Sequence, residues 1–203
     1  MRTRWSILGR DASGQALVET VLLMPLLLGV LLNAINFAFF FLMALNLTSS
    51  ARSSGLYSIT GGATPSAIAL PLAGPTTTTT SVSYIALQDL TGAVSAPTTS
   101  NTGIQVCSPS VGTLNGGTKT QQSTCTQLGL AESYAAADPD PELNSGKTVP
   151  AFMLNRVDVA YQFTPPIPVA LFNLILLASP ACTSSGGTVT CVFYRHTEMR
   201  AMN

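Results

Sequence analysis

From Thr20 to Ala51 the chain carries no charged side chain, a run of 32 positions in 203 residues. About 20 helical residues cross the hydrocarbon of a bilayer. At about 1.5 Å per residue, this run reaches about 48 Å as a helix, enough to span a membrane and project several turns beyond it. Its first part is Val21-Leu-Leu-Met-Pro-Leu-Leu-Leu-Gly-Val-Leu-Leu32, and Asn33-Ala-Ile-Asn-Phe-Ala-Phe-Phe-Phe-Leu-Met-Ala-Leu45 follows. The length argues against a cleaved secretory signal, whose apolar stretch holds about 7–15 residues before a small-residue cleavage site. Ala44-Leu45-Asn46 is also a poor match to that site.

The flanks set an orientation. Arg2, Arg4 and Arg10 precede the run, whereas only Arg52 follows it before Lys119. The positive-inside rule then places the N-terminus in the cytoplasm and the chain beyond about residue 50 outside. Composition agrees: charged residues are 9% of the chain, against about 25% in a typical soluble domain, and mean hydropathy is +0.38. Nine Lys/Arg balance nine Asp/Glu, so there is no electropositive footprint for nucleic acid. With one histidine in the chain, His-based metal centres and Ser-His-Asp chemistry are poor candidates. No G-x-S-x-G, H-E-x-x-H, phosphate loop or G-x-G-x-x-G occurs. The expectation is a protein that is not an enzyme and needs no cofactor or metal.

Glu19 departs from a plain anchor. A carboxylate inside a membrane segment is costly and by default marks a function. Alternatively it starts the helix among the headgroups, where a negative charge suits the N-terminal dipole. Position alone leaves both roles open. The surrounding residues, Ser13-Gly14-Gln15-Ala16-Leu17-Val18-Glu19 and then an apolar run with Pro25, resemble the N-terminus of type IV pilin-like proteins. The segment is most similar to the TadE-like pseudopilins of tight-adherence (Flp) pili.

That resemblance implies a basic leader, Met1–Gly14, removed by a prepilin peptidase between Gly14 and Gln15. Glu19 becomes the fifth mature residue and pairs with the new N-terminal amine of its own or a neighbouring subunit. Family members often carry an aromatic after the glutamate, where this chain has Thr20. The implied partners are the lipid bilayer, the peptidase, other pilin-like subunits and the assembly platform. The implied location is the bacterial inner membrane, with a periplasmic C-terminal domain. The rival expectation is a single-pass anchor whose disulfide-bonded domain binds something else outside the cytoplasm.

The expected organisation is a leader over 1–14, a transmembrane helix over 15–52 and an α+β external domain over 53–203. Gly29, Asn33, Asn36 and Phe40 share one helical face by their spacing of 4, 3 and 4. Small and amide side chains in one stripe suit helix–helix packing in lipid, with Asn pairs bonding across the interface. The competing reading leaves the asparagines on a stretch of helix already outside the bilayer.

Beyond Tyr57 the chain turns rich in Thr, Ser, Gly and Pro, most strongly over 60–127, where Thr76–Thr80 is either a β edge or a linker. Ser81–Leu87 and Gly103–Cys107 alternate like half-buried strands, and Leu128–Ala137 reads as a short helix. Asp138, Asp140 and Glu142 lack the ligand pattern of a calcium loop and read as a solvated acidic loop. Arg156–Phe163 alternates strictly, with Val157, Val159, Tyr161 and Phe163 on one side, and is the best strand. Pro165–Pro168 is a rigid turn. Val169–Ala178 is apolar but too short to span a bilayer, so it is buried or interfacial. Thr188–Arg195 closes the sheet, and Arg195–Arg200, including His196, is a polar tail.

The cysteines, Cys107, Cys125, Cys182 and Cys191, all fall on the external side. Four cysteines allow three connectivities. Local pairing is expected, Cys107 with Cys125 and Cys182 with Cys191, each stabilising by about 2–3 kcal/mol in the chain-entropy model. Without a C-x-x-C pair, a zinc site is disfavoured.

Overall fold

A computed structural model describes residues 12–60, 81–91, 97–113, 119–142, 144–146 and 152–200. The chain begins in one helix, α1 (Ala12–Thr60), of 49 residues, about 73 Å long at the usual rise. Leucine, methionine and alanine favour it intrinsically. Pro25, which removes one backbone hydrogen bond, lies inside it.

The helix outruns the expected limits of 15–52 at both ends. Its last turns, Ser49–Thr60, are poor in strong helix formers, so tertiary packing holds them. Ser50, Ala51, Ser54, Gly55 and Ser58 are buried there, and their small side chains let the helix approach the sheet closely. A Cβ on Gly55 would overlap the Thr197 methyl. The serine hydroxyls are satisfied locally, Ser54 Oγ donating to Ser50 O at 2.6 Å and Ser50 Oγ to Ala86 O at 2.8 Å. The boundary at residue 52 therefore cuts through the domain core.

The rest is a five-stranded antiparallel sheet with small helical pieces. Its strands are β1 (Thr102–Thr113), β2 (Lys119–Gly129), β3 (Asn155–Phe163), β4 (Cys182–Ser185) and β5 (Thr188–Met199), in the order β2-β1-β3-β5-β4. The architecture is α+β, a long apolar N-terminal helix followed by a small antiparallel β domain. One sheet face packs on α1. Val157, Val159, Tyr161 and Phe163 of β3 join Ile104, Val106 and Phe193 against Met43, Leu47 and Ala51. Phe40 meets Phe193 at a ring distance of 4.7 Å and Phe163 at 6.4 Å. Gly186 and Gly187, at φ 59° and 80°, make the two-residue turn between β4 and β5.

Three local expectations are corrected. Ser81–Leu87 is not a strand: Val82–Asp89 forms helix α2, capped by Ser81, whose hydroxyl accepts from Tyr84 N at 3.1 Å. Val82, Ala86 and Leu90 are buried, and a spacing of four satisfies a helical face as well as a strand face. Leu128–Ala137 is not a helix. β2 continues to Gly129, and residues 131–138 cross the outer sheet face without regular structure. Gly129, at φ 78°, makes the bend, and a Cβ there would overlap the Thr102 carbonyl oxygen. The polar tail is strand, since β5 runs to Met199. Met1–Asp11 of the leader and the Thr76–Thr80 tract lie outside the described residues.

Candidate functional site

Among the described residues, the outer half of α1 is exposed. Every side chain from Leu17 to Leu28 is exposed, Leu22 by 72% and Met24 by 68%. Among the described residues, α1 is the one helix long and apolar enough to cross a membrane. Glu19 sits on this surface beside Val18 and Leu22 and has no ion-pair partner among the described residues. The Gly14–Gln15 bond lies in the first turn of α1, and a Cβ on Gly14 would meet nothing within 4 Å. A larger residue at position 14 therefore leaves the fold undisturbed.

Asn33 and Asn36 of the expected packing stripe find hydrogen-bond partners within the chain. Both are engaged by their own chain, by a shelf formed from residues 167–177. The Asn36 amide nitrogen lies 2.9 Å from Ile167 O, 3.0 Å from Phe172 O and 2.9 Å from Asn173 Oδ1. Its carbonyl oxygen accepts from Ile167 N at 3.3 Å. Asn36 is fully buried by these contacts, so its hydrogen-bonding capacity is used within the chain. Asn33 Oδ1 accepts from Leu174 N at 3.0 Å, and Asn33 Nδ2 donates to Gly29 O at 2.9 Å. The shelf is a 3-10 turn (Ala170–Phe172) followed by one helical turn, α3 (Leu174–Leu177).

The disulfides are local, Cys107–Cys125 and Cys182–Cys191. Each joins residues directly opposite one another on paired strands, β1 with β2 and β4 with β5. Both edge strands of the sheet are thus tied to their inner neighbours. By the chain-entropy account each contributes about 2–3 kcal/mol.

The outer sheet face carries a polar cluster that the sequence reading missed. Arg156 Nε lies 2.9 and 3.0 Å from the two Asp158 oxygens. Its Nη1 reaches Glu198 Oε1 at 2.8 Å, and its Nη2 donates to Tyr194 Oη at 2.8 Å. The Tyr194 hydroxyl donates in turn to Asp158 Oδ1, and Gln105 Nε2 donates to Asp158 Oδ2 at 3.2 Å. Register explains the assembly, since Gln105 and His196 flank Asp158 and Glu198 flanks Arg156. The sequence signal was the charged second face of β3, alternating with its valines.

The acidic loop is also not simply solvated. Asp140 is buried and accepts from Arg200 Nη2 at 3.0 Å, while Glu142, exposed, accepts from the same guanidinium at 2.8 Å. Among the described residues no group of three His, Cys, Asp or Glu comes together as metal ligands.

Burial first, and then the hydrogen bond it donates to Asp158, raises the Tyr194 phenol above its ordinary value. Burial and then the Glu132 charge do the same for Tyr134. Burial opposes the Arg156 charge, but its bonds to Asp158 and Tyr194 outweigh that and hold it charged. A phenol with a raised folded pKa contributes stability that is complete below the unfolded value of about 10 and lost above it. The urea midpoint of the full chain in micelles is therefore expected to fall as pH rises past about 10. A midpoint that rises across that window would contradict the sign.

No protein-family profile, curated protein or solved structure matches the chain.

Proposed function

We propose that this chain is a pseudopilin-like minor component or assembly factor of a tight-adherence pilus. In this reading it is anchored by α1 in the bacterial inner membrane, with its β domain in the periplasm and its leader removed by a prepilin peptidase. It acts by assembly and not by catalysis. The observation that carries the proposal is the division of α1. One half is exposed and apolar, with Glu19 near its start, and the other half forms the core of a disulfide-bonded domain. A subunit that moves between bilayer and filament needs such a helix, able to exchange lipid for neighbouring helices while the domain stays folded. Glu19 supports the reading, because a carboxylate in lipid is costly unless a nearby amine offsets it. Cleavage after Gly14 would place that amine four residues away.

A second reading, a plain anchor carrying a binding domain, is favoured by a cleft of about 380 Å³ beside the polar cluster. Glu132, Ser133, Arg156 and Tyr194 line it.

The mature N-terminus separates the two readings. Mass spectrometry of the purified chain is expected to find Gln15 first in cells with the peptidase and an uncut leader in cells without it. Gly14→Leu is expected to abolish the cut, and Glu19→Ala to preserve it while lowering pilus assembly and co-purification of pilin-like subunits. A leader retained in peptidase-positive wild-type cells would refute the pseudopilin reading.

A further inference from the structure

We propose that the shelf at 167–177 is a second membrane contact, seated in the interface of the leaflet from which α1 emerges. Leu171, Leu174 and Ile175 point into the acyl boundary. This rests on the reading of α1 as a membrane anchor and adds to it a lipid-binding surface on the folded domain.

Three observations converge. The first is exposure. Leu171, Leu174 and Ile175 are 64%, 60% and 52% exposed in a segment whose backbone is held by Asn33 and Asn36. Soluble surfaces scatter single apolar residues, but a contiguous apolar patch marks an interaction site. The shelf lies against α1 through Leu174 N and Asn33, and exposed apolar side chains of that helix run from Leu17 past Leu31 and Ile35.

The second is height. The asparagine hydrogen bonds fix the shelf beside residues 33–36 of α1. A hydrocarbon core of about 30 Å takes about 20 residues of untilted helix. Counted from Gly14 or from Glu19 at the other surface, the boundary falls near residue 34 or 39. The shelf therefore lies at the level where the helix leaves the bilayer.

The third is charge. Between Asp158 and Arg195 no Asp, Glu, Lys or Arg occurs, over 36 positions. That stretch contains the shelf, β4 and the Gly186–Gly187 turn. The turn stands against the shelf through Ala170 N donating to Gly187 O at 3.1 Å and Val189 N to Pro168 O at 2.8 Å. The pairs Arg156–Glu198 and Arg200–Asp140 belong to the strand ends and loop beyond it. A domain edge stripped of charge and topped with leucines suits an acyl boundary and not bulk water.

The test uses tryptophan as a depth probe in the full chain. Trp5 is the chain's one tryptophan, so Trp5→Phe gives a silent background. Into it go Leu174→Trp at the shelf, Leu22→Trp on the exposed half of α1, and Leu56→Trp on the far end of the helix, all at exposed positions. Each variant is reconstituted in phosphatidylcholine/phosphatidylglycerol vesicles with and without bromine near the top of the acyl chains. Leu174→Trp is expected to shift to shorter wavelength and lose about half its emission in brominated lipid, as for an interfacial side chain. Leu22→Trp is expected to be blue-shifted and Leu56→Trp to be unaffected. Unquenched, water-like emission from Leu174→Trp while Leu22→Trp is blue-shifted would overturn the shelf contact and leave the anchor standing. Blue-shifted but unquenched emission that depends on protein concentration would overturn it in favour of cover by a second copy. Water-like emission from both would overturn the anchor and the contact together.

Discussion

Asp158→Ala is expected to destabilise the domain by about 3–5 kcal/mol, the usual consequence of removing one partner from a buried ion pair. Asp158 is fully buried, and it accepts from Arg156, Tyr194 and Gln105 at once. Its loss leaves the buried guanidinium with only the less buried Glu198 as ion-pair partner and strips the Tyr194 and Gln105 donors of their shared acceptor, so the effect exceeds that of a single hydrogen bond. Replacing both partners, Arg156→Met with Asp158→Leu, is expected to cost far less, since apolar side chains of similar volume carry no desolvation debt. Urea unfolding of the full chain in micelles, followed by near-UV circular dichroism, measures both. A double variant as unstable as Asp158→Ala would show that the cluster stabilises by more than mutual neutralisation.

Asn36→Asp is expected to release the shelf and cost about 3 kcal/mol or more, because it buries a charge faced by a single backbone donor, Ile167 N, at 3.3 Å. The side-chain nitrogen now faces Ile167 O, Phe172 O and Asn173 Oδ1. A carboxylate in its place sets oxygen against three oxygens. Asn36→Ala leaves three acceptors and the Ile167 N–H without this partner but buries no charge, at about 1–3 kcal/mol. Asn33, less buried, is expected to matter least, at about 0.5–1.5 kcal/mol for Asn33→Ala. Limited proteolysis within 165–180 and the urea midpoint report the order. An Asn33 variant more damaging than either Asn36 variant would contradict it.

The sequence was most legible where one periodicity had no competitor. The uncharged run could only be a long helix, and the alternation of Val157, Val159, Tyr161 and Phe163 could only be a strand, as β3 is. It was least legible where distant residues decided. Val82, Ala86 and Leu90 fit two periods, and the Ser81 cap tipped them to helix. Leu128–Ala137 has helix-forming residues, but the carbonyls of Ala135 and Ala136 accept from Gln105 and Arg156 across the sheet, and an extended path delivers them. Asn33 and Asn36 announced a polar face without naming its partner, because that partner is more than 130 residues away in the chain. Glu19 was visible as an anomaly, and its surroundings in the fold are apolar side chains of its own helix.

The helix that leaves the domain is the same unbroken helix that fills its core, and this fixes how a pull is shared. Tension applied along the axis near Glu19 reaches the sheet without a hinge. It first loads the Asn33 and Asn36 hydrogen bonds, and then shears Met43, Leu47 and Ala51 along β3 and β5. Interdigitated side chains resist sliding together, whereas a flexible tether would let the domain lag and open one contact at a time. Pro25, the weakest point of the rod, lies outside this grip. Yielding would therefore begin in the exposed half and spare the folded one. Anything that draws on the N-terminal end moves the domain as a single rigid load.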